Sequence, residues 1–352
     1  MLDTTLADTA TRSAMGLLLL DALPGVGRKA ITKLVDRFET LGEVLGADDE
    51  ALKTCLNVKQ RGAVRDPKTI DSAYRRAAKE VSRAAELNAS IVSLYDADYP
   101  ERLKALEEPP FILYTSGDLG LLDRSVAFVG TREPTDFGGK VAYAMSWAFA
   151  ADGWCVVSGL ARGIDSICHR AAVDAGGTTC AVLPSGLDVY SSGAAMQLAQ
   201  RICENGGLIV SERRFGEEAN QGSYIDRDRL ITGLSLATVF VQGEPRSGSM
   251  HSVRYALVQE KPVFVPSIPE RFQAEEMNHT ARELARMPLR QLAEKLEWAG
   301  SVMPAVERNP DRPAADTITG RDDYPRVFAE LRDLLPHRKM LADRSFDIAA
   351  TF

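Results

Sequence analysis

The residues of this chain best suited to chemistry are glycines, hydroxyls and arginines that recur together. Gly130-Thr131-Arg132 follows an apolar run that ends at Val129. Ser158-Gly159-Leu160-Ala161-Arg162-Gly163 follows the next such run. Pro184-Ser185-Gly186 comes after Leu183, and Arg246-Ser247-Gly248-Ser249 comes soon after a run ending near Gln242. Glycine lets a ligand approach the backbone N–H groups, and hydroxyls donate hydrogen bonds. A helix starting at such a loop adds partial positive charge. Arg132, Arg162 and Arg246 add full charges, and Arg227 and Arg229 stand where a preceding segment could bring them to the same rim. The candidate anion-binding set is Gly130, Thr131, Arg132, Ser158, Gly159, Arg162, Gly163, Arg227, Arg229, Arg246, Ser247, Gly248 and Ser249. One such loop reads equally well as a structural turn; four in succession favour a site for a phosphate chain.

Other chemistries lack their residues. Gly130 is followed by Thr-Arg, not by the x-Gly-x-x-Gly of a dinucleotide fold, and no acid stands about 20 residues later. No Gly-Lys-Ser/Thr occurs, so a Walker A loop is absent. Neither NAD- nor ATP-dependent chemistry is supported, and no cofactor is expected. The four histidines show no HxxxH or HxH spacing and the five cysteines no CxxC, so no zinc site is expected. Cys55, Cys155, Cys168, Cys180 and Cys203 read as buried reduced thiols. Asp165 and His169 stand one helical turn apart. They could form a general-base pair, but the plainer reading is that they hold their loop and cap its helix. Ser185 lies in Pro-Ser-Gly-Leu, not in a nucleophile elbow. Trp147, Trp154 and Trp298 read as packing residues rather than base-stacking platforms.

Elements of two kinds must position the loops. Strands are predicted over 91–95, 111–114, 126–129, 155–157, 179–183, 208–210, 238–241 and 263–265. Helices are predicted between them over 140–151, 164–174, 195–204, 229–234 and 252–259. Continuous apolar strands separated by helices predict an α/β fold, a Rossmann-like doubly wound sheet that is mainly parallel and covered on both faces. The loops named above would then share one edge, beyond the strand ends where such sheets bind ligands.

Residues 1–88 read as a separate helical domain, residues 89–267 as the sheet domain, and residues 268–352 as a helical extension with a partly flexible tail. In the first, apolar Ala14–Ala22, then Leu23-Pro24-Gly25-Val26-Gly27, then amphipathic 30–38 give a helix-hairpin-helix-like pattern. Its glycines suit either a phosphate or a plain turn between two helices. The sheet pattern is predicted to stop at Pro266. One amphipathic helix follows over 278–298, then a linker over 309–315, a short helix over 324–335 and a tail over 336–352.

The composition fits an ordinary globular chain: 352 residues, 45% hydrophobic and 26% charged. It excludes a disordered, collagen-like or disulfide-stapled chain. No apolar run approaches the roughly 20 residues of a membrane span, and Met1-Leu2-Asp3 lacks the basic start of a secretory signal. A net charge of −7 does not announce a nucleic-acid binder, nor does it exclude one, because a local basic groove is what neutralises phosphates. Residues 51–90 carry 9 basic and 4 acidic side chains, either a solvated helical face or a phosphate-binding one.

Motif order and spacing resemble the DNA-processing protein A family, DprA/Smf. The matching segments are 129–138 (VGTREPTDFG), 158–169 (SGLARGIDSICH), 176–188 (GGTTCAVLPSGLD), 207–212 (GLIVSE), 227–235 (RDRLITGLS), 246–249 (RSGS) and 262–266 (PVFVP). The upstream Tyr99-Pro100 and 109–114 (PPFILY) fit that family's lead-in to the sheet. The resemblance implies a cytoplasmic protein, acting in DNA processing and recombination, that binds single-stranded DNA. It also implies homodimerisation and the loading of a RecA-type recombinase, best known from natural transformation. By motif match Arg132 is the main phosphate ligand. The chain departs from the family pattern at Thr178, where Lys is common, at Asp228, where the family has Asn, and at Gln242, where an acid often stands, and Glu244 adds a negative charge near the rim.

The rival readings are a phosphoribohydrolase of the lysine-decarboxylase-like group and an interaction module with a decayed pocket. The hydrolases carry a Glu in a PGGxGTxxE loop. The corresponding stretch here, 244–252 (EPRSGSMHS), keeps the anion-holding part and has no Glu in the three residues after Ser249. A binding protein, not an enzyme, is the expectation.

Overall fold

The computed structural model describes residues 4–335. Nine strands form one sheet: β1 Ser90–Ser93, β2 Ile112–Ser116, β3 Ser125–Val129, β4 Cys155–Ser158, β5 Thr179–Val182, β6 Leu208–Ser211, β7 Ala237–Phe240, β8 Val263–Pro266 and β9 Asp316–Ile318. Their order is β1-β2-β6-β5-β4-β3-β7-β8-β9. From β6 to β9 every pairing is parallel, while β1 on β2 and β2 on β6 are antiparallel. The Rossmann-like, mainly parallel sheet is thus as the sequence pattern predicts. The chain runs outward from β3 through β4, β5 and β6, then returns to β7 on the other side of β3. The strand order reverses between β3 and β7, and that crevice is where doubly wound sheets hold ligands.

Alternation along β3 shows how the two faces are filled. Val126 and Phe128 pack with Ala142, Phe149 and Cys168 from helices Asp136–Ala151 and Ile164–Asp174. Ala127 and Val129 pack with Leu230, Ile231 and Val253 from helices Gln221–Leu234 and Ser249–Val258. Successive side chains of a strand point to opposite faces, so a continuous apolar run is what a sheet buried on both sides requires. The helices begin where capping residues allow. Thr135 accepts from the N–H of Gly138, and Asn220 and Ser223 form a reciprocal capping box.

The N-terminal helices Ala14–Ala22 and Arg28–Arg37 are joined by a turn with Gly25 at φ +74°, as the glycine pattern predicts. Leu17, Leu20, Ile31 and Leu34 share a core with Ala181, Leu183 and Ile209 of the sheet region. Four of the nine basic side chains in the stretch 51–90 are paired at the surface. Lys53 meets Glu50, Arg61 meets Asp49 and Arg75 meets Asp71. Arg83, on helix Pro67–Glu86, reaches both Glu86 and Asp188. Its role as a solvated face is favoured over a phosphate-binding one.

Four expectations need correction. The sheet does not stop at Pro266: β9 adds parallel to β8, with Phe264 opposite Asp316, and the stretch read as a linker buries Ala314 and Ala315. A three-residue strand is too short to show a period of two. The single helix expected over 278–298 is two, His279–Arg286 and Leu289–Lys295. Pro288 lacks the N–H to continue a helix and pushes Met287 out of helical geometry, at ψ 132°. Trp147 is 45% exposed rather than packed, although Trp154 and Trp298 are buried. The last helix is Tyr324–Asp333, and the tail over 336–352 lies outside the described residues. All five cysteines are free thiols, but burial holds for four of them only: Cys203, expected to be buried, is exposed near the end of helix Gly193–Glu204. Among the described residues no helix is long and apolar enough to cross a membrane.

Candidate functional site

Thr131 donates its N–H to Gln242 O at 2.8 Å, tying the loop after β3 to the end of β7 at the point of strand reversal. Beside this tie opens a cleft of about 750 Å³. Gly130, Thr131, Arg132, Arg162, Arg227, Ser247, Gly248 and Ser249 line it, so eight of the thirteen sequence-predicted residues meet here.

Local geometry explains several of these residue types. Gly163 has φ +83°, and a Cβ there would sit 2.4 Å from Thr131 O. Only glycine lets helix Ile164–Asp174 start hard against the β3 loop. At Gly159 a Cβ would lie 2.2 Å from Arg227 Nη1. The Ser158–Gly163 loop is folded around Asp165, which accepts the N–H groups of Gly159 at 3.2 Å and Ala161 at 3.3 Å. Between them Leu160 is held at φ +56°, a region leucine rarely enters. Across the cleft, helix Ser249–Val258 has no side-chain cap at Gly248; its Met250 and His251 N–H groups donate to Ser247 O at 3.0 Å and Gly248 O at 2.9 Å. Ser247 donates to Glu244 O at 2.7 Å and its hydroxyl lies 2.9 Å from that of Ser249, which holds the two hydroxyls together.

The charges sort differently from the sequence expectation of an arginine-rich rim. Three cations line the cleft, Arg132, Arg162 and Arg227, against four acids, Glu133, Asp165, Asp228 and Glu244. Arg162 pairs with Glu133 at the exposed mouth. Arg227 is 5% exposed and is committed inward. Its Nη1 donates to Gly159 O at 2.6 Å and Val182 O at 2.8 Å, and its Nε to Asp228 at 3.1 Å. It is a positioning residue that ties the ends of β4 and β5 to helix Gln221–Leu234. Arg229 is not brought to the cleft; it donates to Glu212 at 2.5 Å and to Glu108 O at 3.1 Å. Arg246 opens instead onto a neighbouring cavity with His251, His279 and Trp298. Ser158 is buried and spends its hydroxyl on Phe128 O at 2.7 Å.

Arg132 is left. It is exposed, and among the described residues lining the cleft it is the cation with no carboxylate within ion-pair distance. It lies over the ring of Tyr224, 5.3 Å from its centroid. Sequence reading missed Tyr224; the available signal was its place one helical turn before Arg227.

Burial pushes the Asp165 carboxyl upward, with Arg227 and the loop's N–H groups pulling the other way. Burial also raises Asp228, to about 6, against the pull of Arg227 and with the repulsion of Asp165. Burial holds His169 neutral, down to about 3. Its Nδ1 lies 2.7 Å from Thr179 Oγ1, whose hydroxyl donates to Val156 O, so Nδ1 is the donor. Asp165 therefore holds its loop and His169 ties a helix to the sheet, and no general-base pair is assembled. Gln242 is structural too. Its Oε1 accepts from Thr135 N–H at 2.9 Å, and its Nε2 donates to Asn278 Oδ1 at 2.6 Å. Glu244 does sit at the rim, exposed.

Comparison with known proteins agrees with this architecture. Residues 90–296 match the family model described as DNA recombination-mediator protein A. The DNA processing protein DprA of Bacillus subtilis is 32% identical over 197 residues, 55% of this chain and 66% of that protein. That of Streptococcus pneumoniae is 34% identical over 173 residues, 49% of this chain and 61% of that protein. Protein Smf of Synechocystis is 35% identical over 189 residues, 52% of this chain and 47% of that protein. The chain thus spans about half to two thirds of the length of these relatives. Among solved structures, DprA from S. pneumoniae aligns with TM-score 0.63 and 23% identity, covering 90% of this chain and 98% of that one, a likeness of fold. DprA from Helicobacter pylori, whose structure was described for its single-stranded DNA binding mode, aligns with TM-score 0.53 and 27% identity. It covers 69% of this chain and 96% of that one. With the family model matched over more than half its length, in the part that builds the sheet and the cleft, the chain belongs to the DNA recombination-mediator protein A family.

Proposed function

We propose that the cleft at the β3–β7 reversal binds the backbone of single-stranded DNA, with Arg132 as its main phosphate ligand. The observation that carries this is Arg132 itself: exposed, with no carboxylate of the cleft's lining within ion-pair distance, and lining the same cleft as the start of helix Ser249–Val258. A phosphate there meets a guanidinium on one side and, on the other, the Ser247 and Ser249 hydroxyls at the partially positive start of helix Ser249–Val258. The single-stranded DNA binding of the H. pylori relative supports the reading. The family description as a recombination mediator supports a recombinase as partner; the RecA type, action as a homodimer, a place in the cytoplasm and natural transformation as one setting are what the resemblance to DprA/Smf implies.

Binding without hydrolysis is expected. The carboxylates lining the cleft at Asp165 and Asp228 are held by N–H groups and by Arg227, and the three residues after Ser249 include no Glu. Binding curves at several salt concentrations for single strand, duplex and mononucleotide test both points. Single strand is expected to bind tightest, with log affinity falling against log salt by roughly 0.7 per phosphate contacted. Equal affinity for duplex, or release of free base from a nucleoside monophosphate, contradicts the reading.

Affinity is also expected to depend on pH. Below about 6 the Asp228 carboxyl takes up a proton, and a negative charge leaves the cleft. A bound phosphate favours that protonated form, so affinity for a single strand rises as pH falls from 7.5 to 5.5, by roughly three- to tenfold for one partly screened charge. Asp228→Asn binds at pH 7.5 as the wild type does at 5.5 and loses most of the dependence. A pH titration of the dissociation constant for both proteins checks this. An Asp228→Asn profile as steep as the wild type's assigns the effect elsewhere.

A further inference from the structure

Arg132 stands within a short loop, and both ends of that loop hang on one residue. Thr131 donates its N–H to Gln242 O at 2.8 Å, and Thr135 donates its N–H to Gln242 Oε1 at 2.9 Å. The first tie uses the backbone of Gln242 and is indifferent to the side chain. The second depends on which way the amide faces, because an NH2 group turned toward the Thr135 N–H would set donor against donor. Gln242 is fully buried, so a wrong orientation is not repaired from solvent. Space fixes the amide as well. A Cβ on Gly138 would lie 2.1 Å from Gln242 Oε1, and glycine is the residue that leaves room for it.

What orients the amide lies beyond β8. Gln242 Nε2 donates to Asn278 Oδ1 at 2.6 Å and to Thr135 Oγ1 at 2.9 Å. Asn278 is 1% exposed, and its own amide is fixed in turn: Nδ2 donates to Phe272 O at 2.9 Å and to Glu275 Oε2 at 3.1 Å. The Glu275 carboxylate also accepts from Thr135 Oγ1 at 2.9 Å. A carboxylate offers acceptors only, so Glu275 sets the direction of the whole chain of donors from its end. Two further contacts press the segment 272–278 onto the cleft. Phe272 stacks on Phe137 with centroids 4.5 Å apart, and Gly243 donates its N–H to Met277 O at 3.3 Å. Met277 itself lines the cleft.

A buried polar network in which every member is paired specifies one arrangement, and losing a member costs that choice as well as a contact. We propose that Asn278 and Glu275 are positioning residues for single-strand binding. By fixing the Gln242 amide they hold the loop from Thr131 to Thr135, and with it Arg132, where a backbone phosphate lies. This rests on the reading of the cleft as a single-strand site. It goes further, because it gives the segment after β8 a part in binding without any contact to the strand.

The test measures affinity for an eight-residue oligothymidylate by fluorescence anisotropy in wild type, Asn278→Ala, Arg132→Ala and the double variant. Asn278→Ala is expected to bind roughly three- to tenfold more weakly, the worth of about one hydrogen bond, with its salt slope shifted toward that of Arg132→Ala. In the Arg132→Ala background the same change should cost less than about twofold, because the group it positions is gone. Losses that multiply in the double variant overturn the proposal and leave the cleft reading standing. An Arg132→Ala variant with wild-type affinity overturns both. Asn278→Ala removes a buried amide and can unfold the chain, so an exchange of charge supplies the second test. Gln242→Glu sets two carboxylates against the one Asn278 amide and should weaken binding. Combined with Glu275→Gln it returns the network to a single carboxylate, and affinity should recover to within about twofold of wild type. A combined variant that binds as weakly as Gln242→Glu alone overturns the proposal.

Discussion

Arg227→Ala is expected to lower the melting temperature by roughly 10 °C at pH 7.5, the largest effect of any single change in the cleft. The side chain is 5% exposed, and its guanidinium serves two carbonyls and a carboxylate from three separate elements. Its removal leaves Gly159 O and Val182 O without that donor. It also leaves Asp165 and Asp228 buried with their shared cation gone. Breaking a buried pair by deleting one partner costs about 3–5 kcal/mol, and in a domain of this size each kcal/mol moves the midpoint by roughly 2–4 °C. Arg227→Lys restores charge without the fork and recovers only part. A thermal scan that finds Arg227→Ala within 2 °C of wild type contradicts this account.

The pH dependence of that loss has a definite sign. Asp228 titrates near 6 in the folded protein, above its ordinary value of 3.8. Its contribution is therefore fully present below 3.8 and is lost as pH rises through 6. Without Arg227 the attraction that partly offsets burial disappears for both acids, so their folded values climb further. The deficit of Arg227→Ala is then widest at neutral pH and narrows as pH falls toward 5. Scans of both proteins at pH 5 and 7.5 measure this, and a deficit that widens in acid excludes the buried acids as its source.

The sheet was legible because burial on both faces forces continuous apolar strands, and β3 to β8 all have that form. β9 was not, since three residues read Asp-Thr-Ile carry no period. Which loops gather at the cleft was also legible, because parallel topology sends every strand end to one edge. The direction of a long side chain was not. Arg227 and Arg229 stand two positions apart on one helix, about 200° around its axis. One therefore turns in beneath the cleft and the other toward Glu212. Nor does a count of arginines give the field. Arg162 is cancelled by Glu133, 29 positions away in sequence, and only the fold brings them together. Tyr224 escaped because a lone tyrosine carries no motif, although its ring now lies under Arg132.

That sorting of charges makes Arg132→Ala the sharpest test of binding. A charged hydrogen bond to phosphate is worth about 1.5–3 kcal/mol, so the variant is expected to bind a single strand roughly ten- to a hundredfold more weakly. The magnitude of its salt slope should fall by roughly 0.7, the share of one phosphate. Thermal stability should hold within about 3 °C. The side chain is exposed, and the contact it loses is the one with the Tyr224 ring, worth about 0.5–1 kcal/mol at such a site. A pairing with Asp165 would have made Arg132 a structural clamp. The carboxylate instead turns to the N–H groups of Gly159 and Ala161, with Arg227 as its attracting cation. Arg132→Lys keeps a point charge and loses the bidentate fork, and should recover only part of the affinity. The control is Arg162→Ala. It deletes an equal charge at the same mouth, but one already neutralised by Glu133, so its effect on affinity should be several times smaller. Equal losses in the two variants would mean that the cleft acts through summed charge alone and that Arg132 is not its principal phosphate ligand.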